Sequence, residues 1–132
     1  MAIILDAAVV IQGEKGLFDL TAWLAANPNE QFELAAITVA ELWHGVETAT
    51  PRHRAKRMNY VNAVTSAMPI IPYTDQTAYK HARIWAYLEK KGKMIDAHDL
   101  IVAATALQRQ SQVATLNRKH FDQVPGLKVI VP

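Results

Sequence analysis

Four polar side chains follow apolar segments at positions where α/β proteins commonly do chemistry. Asp6 comes directly after the first apolar run, and Glu41 lies four residues beyond the predicted end of the second. Asp99 stands at the start of an alanine-rich segment, and Asn117 lies two residues beyond another short apolar run. If these runs are parallel strands, their carboxyl ends meet at one edge of a sheet. We therefore expect the four side chains to lie close together.

Clustered carboxylates repel one another, so such a group is costly unless a cation or a shared proton offsets the charge. The sequence has no cysteine and no pair of histidines at metal-ligand spacing, whereas it offers several hard oxygen ligands. This donor set suits Mg²⁺, with Mn²⁺ as a second possibility, better than zinc. The sequence therefore predicts a divalent-cation site at this edge of the sheet.

A purely structural interpretation competes for two of the acids. Glu41 and Asp99 each occupy the third position of a possible capping motif, which opens with Thr38 and Asp96 respectively. Acids at that position favour the helix dipole without any further function. Asp6 caps no obvious helix, and it is therefore the acid for which a functional role is best supported.

The elements that must position these residues alternate along the chain. Strands are predicted at 2–5, 34–37, 69–73, 112–115 and 128–131. Helices are predicted at 19–26, after the Thr38 cap, at 52–68, from Asp75 to a Gly92 cap, and at 100–110. Asp75 and Asp96 fit N-caps. The helix that begins at Asp75 is expected to turn five residues toward the core, namely Ala78, Ala82, Trp85, Ala86 and Leu88. Alternating strands and helices predict an α/β sandwich with a mostly parallel sheet.

Length and composition narrow the class of protein. The 132 residues, 51% of them hydrophobic, predict one domain spanning residues 1–132 with a sizeable core. The absence of cysteine excludes a disulfide scaffold, a thiolate zinc site and a cysteine nucleophile. No apolar run approaches the ~20 residues that span a bilayer, and the N-terminus lacks a signal-peptide pattern. We expect a cytoplasmic protein with no membrane partner.

Charge is divided unevenly between the two parts of the chain. Residues 1–50 contain one lysine and seven acids, for −6, whereas residues 51–132 contain thirteen basic residues and five acids, for +8. A basic second part suggests an anionic partner such as a nucleic acid. The competing interpretation is a solvated basic helix, which we favour for the cluster of Arg52, Arg54, Lys56 and Arg57. For Arg118 and Lys119, beside Asn117, both interpretations stay open.

Four motifs in order resemble those of the PIN-domain ribonucleases, and within them the VapC toxins of prokaryotic toxin–antitoxin pairs. They are ILDAAVVI at 4–11, AITVAELWHGV at 36–46, DAHDLIVAATA at 96–106 and ATLNRKHF at 114–121, the last followed by VPGL at 124–127. The resemblance covers essentially the whole chain. It implies a three-layer α/β/α fold with a central parallel sheet of about four or five strands.

The resemblance also implies a toxin that acts as a Mg²⁺-dependent endoribonuclease on structured RNA, transfer or ribosomal, and leaves a 5′-phosphate. Asp6, Glu41 and Asp99 match three of the family's acids and would hold the metal. The fourth acidic position falls on Asn117, which is assigned a catalytic role with them. Thr115, Arg118 and Lys119 are the candidates for holding substrate. The implied partners are RNA, a VapB-like antitoxin and a second copy of the chain.

Two departures from the family pattern keep an alternative open. Asn117 is an amide where the family usually has an acid, and Ala7 and Ala8 replace the small polar residues that usually follow the first acid. Lost hydrogen bonds would loosen the groups around the metal, although the Thr115 hydroxyl offers a partial replacement. The alternative is a catalytically weakened PIN-fold module that binds RNA or protein.

Other chemistries find less support in the sequence. A haloacid-dehalogenase-type phosphatase needs a second acid at Ala8, and a receiver domain needs an acid pair in the first loop. His44, His98 and His120 show no HExxH-type spacing, so structural roles are at least as well supported as ligation. Trp85, like Trp43, is assigned to the core or an interface rather than to base stacking.

Overall fold

The computed structural model describes residues 2–132, which form a five-stranded parallel sheet of order β3-β2-β1-β4-β5. The strands are β1 (Ala2–Leu5), β2 (Gln31–Ala35), β3 (Ile70–Ile71), β4 (Gln112–Ala114) and β5 (Val129–Ile130). The helices are α1 (Ala7–Glu14), α2 (Leu20–Ala26), α3 (Ala36–Glu47), α4 (Pro51–Ala67), α5 (Asp75–Lys91) and α6 (Ala97–Arg109). A 3₁₀ turn covers Phe121–Gln123. The predicted parallel α/β architecture is confirmed.

Side chains on β1 alternate between two separate cores, as a strand covered on both faces requires. Ile4 packs in a core with residues of α5 and α6, whereas Ile3 and Leu5 pack in a core with residues of α1 to α4. The sheet is therefore the middle of three layers. Because β1 lies at the centre of the strand order, Asp6 at its carboxyl end is placed at the middle of one sheet edge.

Helix-capping residues set where α5 ends and α6 begins. Gly92 takes a left-handed conformation, with φ of 65°, and closes α5 as predicted. Asp96 accepts hydrogen bonds from the amides of His98 and Asp99 at 3.0 and 3.3 Å, so it is the predicted N-cap of α6. The cap places Asp99 in the first turn of α6, beside the carboxyl end of the sheet.

Two boundary predictions in the first third of the chain were wrong. The second strand runs from Gln31 to Ala35 rather than over 34–37, and α3 begins at Ala36. Thr38 is therefore inside α3 instead of capping it, with its buried hydroxyl lacking a hydrogen-bond partner among the described residues. The helix α1 over Ala7–Glu14 was not predicted. At the junction of β2 and α3, apolar residues continue unbroken from a buried strand into a buried helix face, so composition marks no boundary. After Asp6, the apolar run over 7–11 is too short for periodicity to distinguish a helix from a strand.

The buried face of α5 also differs from the prediction. The sequence assigned the core-facing positions to Ala78, Ala82, Trp85, Ala86 and Leu88, whereas the structure buries Thr77, Ile84 and Leu88. The Trp85 side chain is 49% exposed, so its assignment to the core was wrong. The N-cap is Thr74, which forms a capping box with Thr77, and Asp75 is the first helical residue. Within residues 2–132, no helix is both long and apolar enough to cross a membrane.

Candidate active site

The structure brings Asp6, Glu41 and Asp99 together at the carboxyl edge of the sheet. Asp6 is the residue between β1 and α1, and it makes no side-chain capping hydrogen bond although it occupies the N-cap position. Its side chain is almost fully buried, with 8% exposed. Glu41 comes from the middle of α3 and Asp99 from the first turn of α6. Three elements from different parts of the chain thus converge on one acidic cluster.

Burial and mutual repulsion disfavour ionisation of this cluster. Burial raises the pKa of Asp6 above the ordinary value of an aspartate, and the charge of Asp99 raises it further. Burial likewise raises the pKa of Glu41, with smaller contributions from the charges of Asp6 and Asp99. The folded protein therefore carries an electrostatic cost at this edge, which a bound cation would offset.

Thr115 holds the buried carboxylate of Asp6. The Thr115 hydroxyl donates to Asp6 Oδ2 at 2.9 Å and accepts from the Asn117 amide at 3.1 Å. The bond to Asp6 favours the ionised carboxylate and lowers its pKa, in opposition to burial. The Thr115 hydroxyl, directly after β4, thus supplies a hydrogen bond to Asp6 that the side chains of Ala7 and Ala8 cannot make.

The side chain of Asn117 is directed differently from the acids. Its carboxamide oxygen accepts from the backbone amide of Lys119 at 3.3 Å, which makes a local turn, and the residue is exposed. Its contact with the acidic cluster runs through its backbone and Thr115. Asn117 therefore shapes the loop after β4, and its predicted catalytic role stays a prediction.

Two histidines lie against the acids, an arrangement that sequence spacing did not reveal. His120 Nδ1 lies 2.6 Å from Asp99 Oδ2, and His98 Nδ1 lies 3.7 Å from Glu41 Oε1. The charge of His98 lowers the pKa of Glu41, although burial outweighs it. His120 reaches Asp99 from 21 positions along the chain, so only the fold makes this pair.

The two basic residues after Asn117 have different environments. Arg118 Nε donates to both carboxylate oxygens of Asp122, at 3.1 and 2.8 Å, so its guanidinium already has a partner. Lys119 makes no ion pair within residues 2–132 and is exposed. Of the two predicted substrate-binding cations, Lys119 is the one whose charge is available.

Whether these acids fit a divalent cation depends on their number and spacing. Among residues 2–132, no three His, Asp or Glu side chains are close enough together to hold one ion directly. Mg²⁺ keeps several waters and needs only one or two protein carboxylates, so Asp6 and Asp99 suffice as its protein ligands. The repulsion between the acids, visible in the raised pKa of Asp6, is what such a cation relieves. The residues present thus fit a partly hydrated Mg²⁺ or Mn²⁺.

Comparison with known proteins gives consistent matches over nearly the whole chain. The family model described as PIN domain matches residues 3–127. The chain is 30% identical over 131 residues to Ribonuclease VapC of Rickettsia bellii, covering 98% of this chain and 96% of the relative. It is 28% identical over 96 residues to the tRNA(fMet)-specific endonuclease VapC of Salmonella typhimurium, covering 73% and 71%. The fold superposes on VapBC2 from Rickettsia felis, in a crystal structure with promoter DNA, with a TM-score of 0.91 at 22% identity over 99% of this chain and 98% of that one.

Proposed function

Because this chain belongs to the PIN-domain family and is a VapC-type toxin ribonuclease, we propose that Asp6, Glu41 and Asp99 form the active site of a metal-dependent endoribonuclease. The observation that carries the assignment of residues is the convergence of three acids, with the pKa of Asp6 and Glu41 raised, at one sheet edge. The competing interpretation as a capping residue loses support for Glu41, which lies in the middle of α3, whereas Asp99 stands in the first turn of α6 and also favours the helix dipole.

The cation in this proposal is Mg²⁺, with Mn²⁺ as a substitute, and Asp6 and Asp99 are its protein ligands. When bound, the cation offsets charge on the scissile phosphate and lowers the pKa of a nearby water. Thr115 fixes the carboxylate of Asp6, and His120 fixes that of Asp99. Both acids are thereby held in one orientation before substrate arrives.

Glu41 is suited to accept a proton from the attacking water. Its pKa lies above that of an ordinary glutamate, closer to neutrality, where a general base is more effective. In the proposed reaction water adds to phosphorus as Glu41 takes one of its protons, and the bond from phosphorus to the 3′-oxygen breaks. The leaving oxygen takes a proton from solvent to become a 3′-hydroxyl, and Glu41 returns its proton to solvent. The products are a 5′-phosphate end and a 3′-hydroxyl end.

The substrate we propose is structured RNA, with transfer RNA favoured over ribosomal RNA. The Salmonella relative is named for specificity toward tRNA(fMet), which supports this class of target. Lys119 contributes an unpaired cation next to the acids, and phosphate contacts of this kind position RNA without selecting its sequence. In this scheme Thr115 acts on the substrate only by positioning Asp6, whereas the sequence analysis predicted that Thr115 contacts the substrate directly.

The test is cleavage of total RNA by purified protein free of antitoxin, with Mg²⁺, Mn²⁺ and EDTA compared side by side. We expect discrete fragments with either metal and none with EDTA, and mapping of their ends should give 5′-phosphates. Asp99→Asn is the matched variant, which keeps the shape of the side chain while removing its charge. Fragments that persist in EDTA or with Asp99→Asn would refute the proposed site. Folded protein that cuts nothing under any condition would favour the weakened binding module.

The proposed partners include a VapB-like antitoxin, because the matched Rickettsia felis structure is of a toxin–antitoxin assembly. A cavity of about 430 Å³ beside Glu41 is available to a segment of such a partner. It is lined by Ile11, Ile37, Ala40, Glu41, His44 and His98. We further propose one PIN domain over residues 1–132 and a cytoplasmic location.

A second copy of the chain is the occupant we propose for the exposed aromatic face of α5. Trp85 is solvent-exposed there, beside the exposed Tyr73 just before the helix, and both rings contact that of His81, with centroids 5.7 and 5.8 Å away. Exposed aromatic residues of this kind are enriched at protein interfaces. Trp85 thus lies on this exposed face rather than in the core.

Loss of the Thr115 hydroxyl should weaken cleavage without removing the acids. Thr115→Val keeps the shape of the side chain but deletes the bond to Asp6, and we expect the cleavage rate to fall about 10- to 100-fold. Since that bond lowers the pKa of Asp6, its loss raises the pKa, and the rate should reach half its maximum at a higher pH. Thr115→Ser keeps the donor and should stay near the parent in both measurements. A rate and pH profile for Thr115→Val that match the parent would contradict the role.

A further inference from the structure

A cavity of about 360 Å³ adjoins the acidic cluster on the side of Asp99. It is lined by Lys93, Met94, Ile95, Lys119, His120 and Gln123. His120 belongs to both regions, because its Nδ1 lies 2.6 Å from Asp99 Oδ2 while its ring lines the cavity. The cavity is at the small end of the ~300–1,000 Å³ typical of ligand pockets, and it therefore suits one small unit rather than a helix or a strand.

The charges around this cavity have one sign. Lys93 and Lys119 supply this charge, and no carboxylate lines the cavity. Neither lysine makes an ion pair within residues 2–132, in contrast to Arg118, which is paired with Asp122. Two free ammonium groups, located beside three carboxylates that repel anions, provide a place where a polyanion can be held next to the acids.

The other residues that line the cavity suit a flat ring with polar edges, such as a nucleobase. They offer an apolar surface for the face of the ring and polar groups for its edge. Met94 is half exposed, at 51%, and with the buried Ile95 it offers an apolar surface. Gln123 carries both a donor and acceptor in its amide, and the His120 ring adds a further polar edge. Unpaired RNA bases are recognised by this combination of a face contact and hydrogen bonds to a base edge.

We propose that this cavity is a subsite for one unpaired nucleotide of the RNA, next to the phosphate that is cut. Lys93 and Lys119 contact its phosphates, Met94 contacts the face of its base, and Gln123 contacts the edge. The proposal rests on the ribonuclease function proposed above and adds a requirement to it. A nucleotide enters this cavity only when it is out of a base-paired stack, so cleavage needs a single-stranded residue beside the cut.

The test is equilibrium binding in EDTA, where no cleavage occurs, measured by fluorescence anisotropy with two labelled probes. One probe is a single-stranded RNA of about 10 nucleotides, and the other is an RNA hairpin whose paired strands are joined by a non-nucleotide linker, so that it has no unpaired nucleotide. We expect Lys93→Gln to weaken single-strand binding about three- to fivefold and to reduce the salt slope by about 0.7. Gln123→Ala should weaken the same probe by a similar factor without changing that slope. Binding of the hairpin should change less than twofold for either variant.

Lys80→Gln is the matched control, since it removes the same charge from an exposed position of α5 outside the cavity lining. Equal losses for Lys80→Gln and Lys93→Gln would overturn the subsite, because they would mean a general effect of charge. Equal losses on the hairpin and the single strand would overturn it too. Unchanged RNA binding together with weakened antitoxin binding would assign the cavity to a protein partner instead. Failure of the ribonuclease proposal is distinguishable, since it appears as absent cleavage by the parent with Mg²⁺ while these binding differences persist.

Discussion

Replacing Asp6 by asparagine should lower the rate of RNA cleavage by about 1,000-fold and, at the same time, stabilise the metal-free protein. The loss of rate follows from removing a negative charge that both holds the cation and lies at the centre of the acidic cluster. The gain in stability follows from the same charge, which is buried and repelled by Asp99. We expect the melting temperature at neutral pH to rise by about 2–5 °C in EDTA.

The pH dependence of that gain is fixed by the direction of the pKa shift. Because the folded-state pKa of Asp6 is raised, the unfolded chain releases its proton first, and folding loses stability as pH rises from the ordinary aspartate value through the raised one. Asparagine does not titrate, so the difference between the variant and the parent should grow with pH over this interval. It should be smallest near about pH 4.

Melting curves from pH 4 to pH 8 in EDTA, together with cleavage rates in saturating Mg²⁺, check both parts. Asp75→Asn serves as the control, because it makes the same change at an exposed carboxylate of α5 away from the acidic cluster. Cleavage by Asp6→Asn at the parental rate would remove Asp6 from the site. A variant that is less stable than the parent at pH 8 would mean that the Thr115 bond outweighs burial and repulsion.

The element boundaries that could be predicted from sequence are those at which an apolar run changes abruptly to a polar residue. The end of β1 is marked by the change from Leu5 to Asp6, and the start of α6 by the Asp96 cap, so the positions of two site acids were predictable. The parallel sheet then required them to meet at one edge. Glu41 was predicted as a site residue from its position beyond the second strand, and it was the competing capping role that was wrong, because Thr38 does not cap α3.

The parts that could not be predicted depend on contacts between distant segments. The contact between His120 and Asp99 spans 21 positions, and nothing in the local sequence specifies this partner. Thr115 was expected near the first acid, but its partner atom, Asp6 Oδ2 at a separation of 109 positions, is set by the fold. Exposure of Trp85 was mispredicted for a related reason: a wide apolar helix face does not reveal which part meets the sheet and which part stays free. The sequence therefore shows which functional side chains are present, whereas their orientation depends on tertiary contacts.

A buried ion pair far from the acidic cluster shows the same dependence on distant contacts. Glu33 in β2 is fully buried, with 0% exposed, and is 76 positions from its partner Arg109 at the end of α6. Arg109 Nε donates to the two carboxylate oxygens at 3.2 and 3.0 Å. Ser111 and Gln31 donate to the carboxylate at 3.3 and 3.0 Å. The pair ties the carboxyl end of α6 to the middle of β2, and Asp99 lies ten residues earlier in the same helix, about 15 Å away.

Arg109→Met should destabilise the fold by about 2–3 kcal/mol, because it leaves the Glu33 carboxylate buried without its main partner. The guanidinium itself is partly exposed, which lets water approach the carboxylate and places the cost just below the ~3–5 kcal/mol typical of breaking a fully buried pair. Arg54→Met is the control: the Arg54–Glu47 pair is exposed on both sides and should contribute about 0.5 kcal/mol or less. Urea denaturation measures the free energy of unfolding of both variants.

Glu33→Leu combined with Arg109→Met should recover most of the lost stability, since an apolar pair of similar volume removes the buried charge. A single variant no worse than Arg54→Met, or a double variant no better than the single, would show that Arg109 does not compensate the buried charge of Glu33.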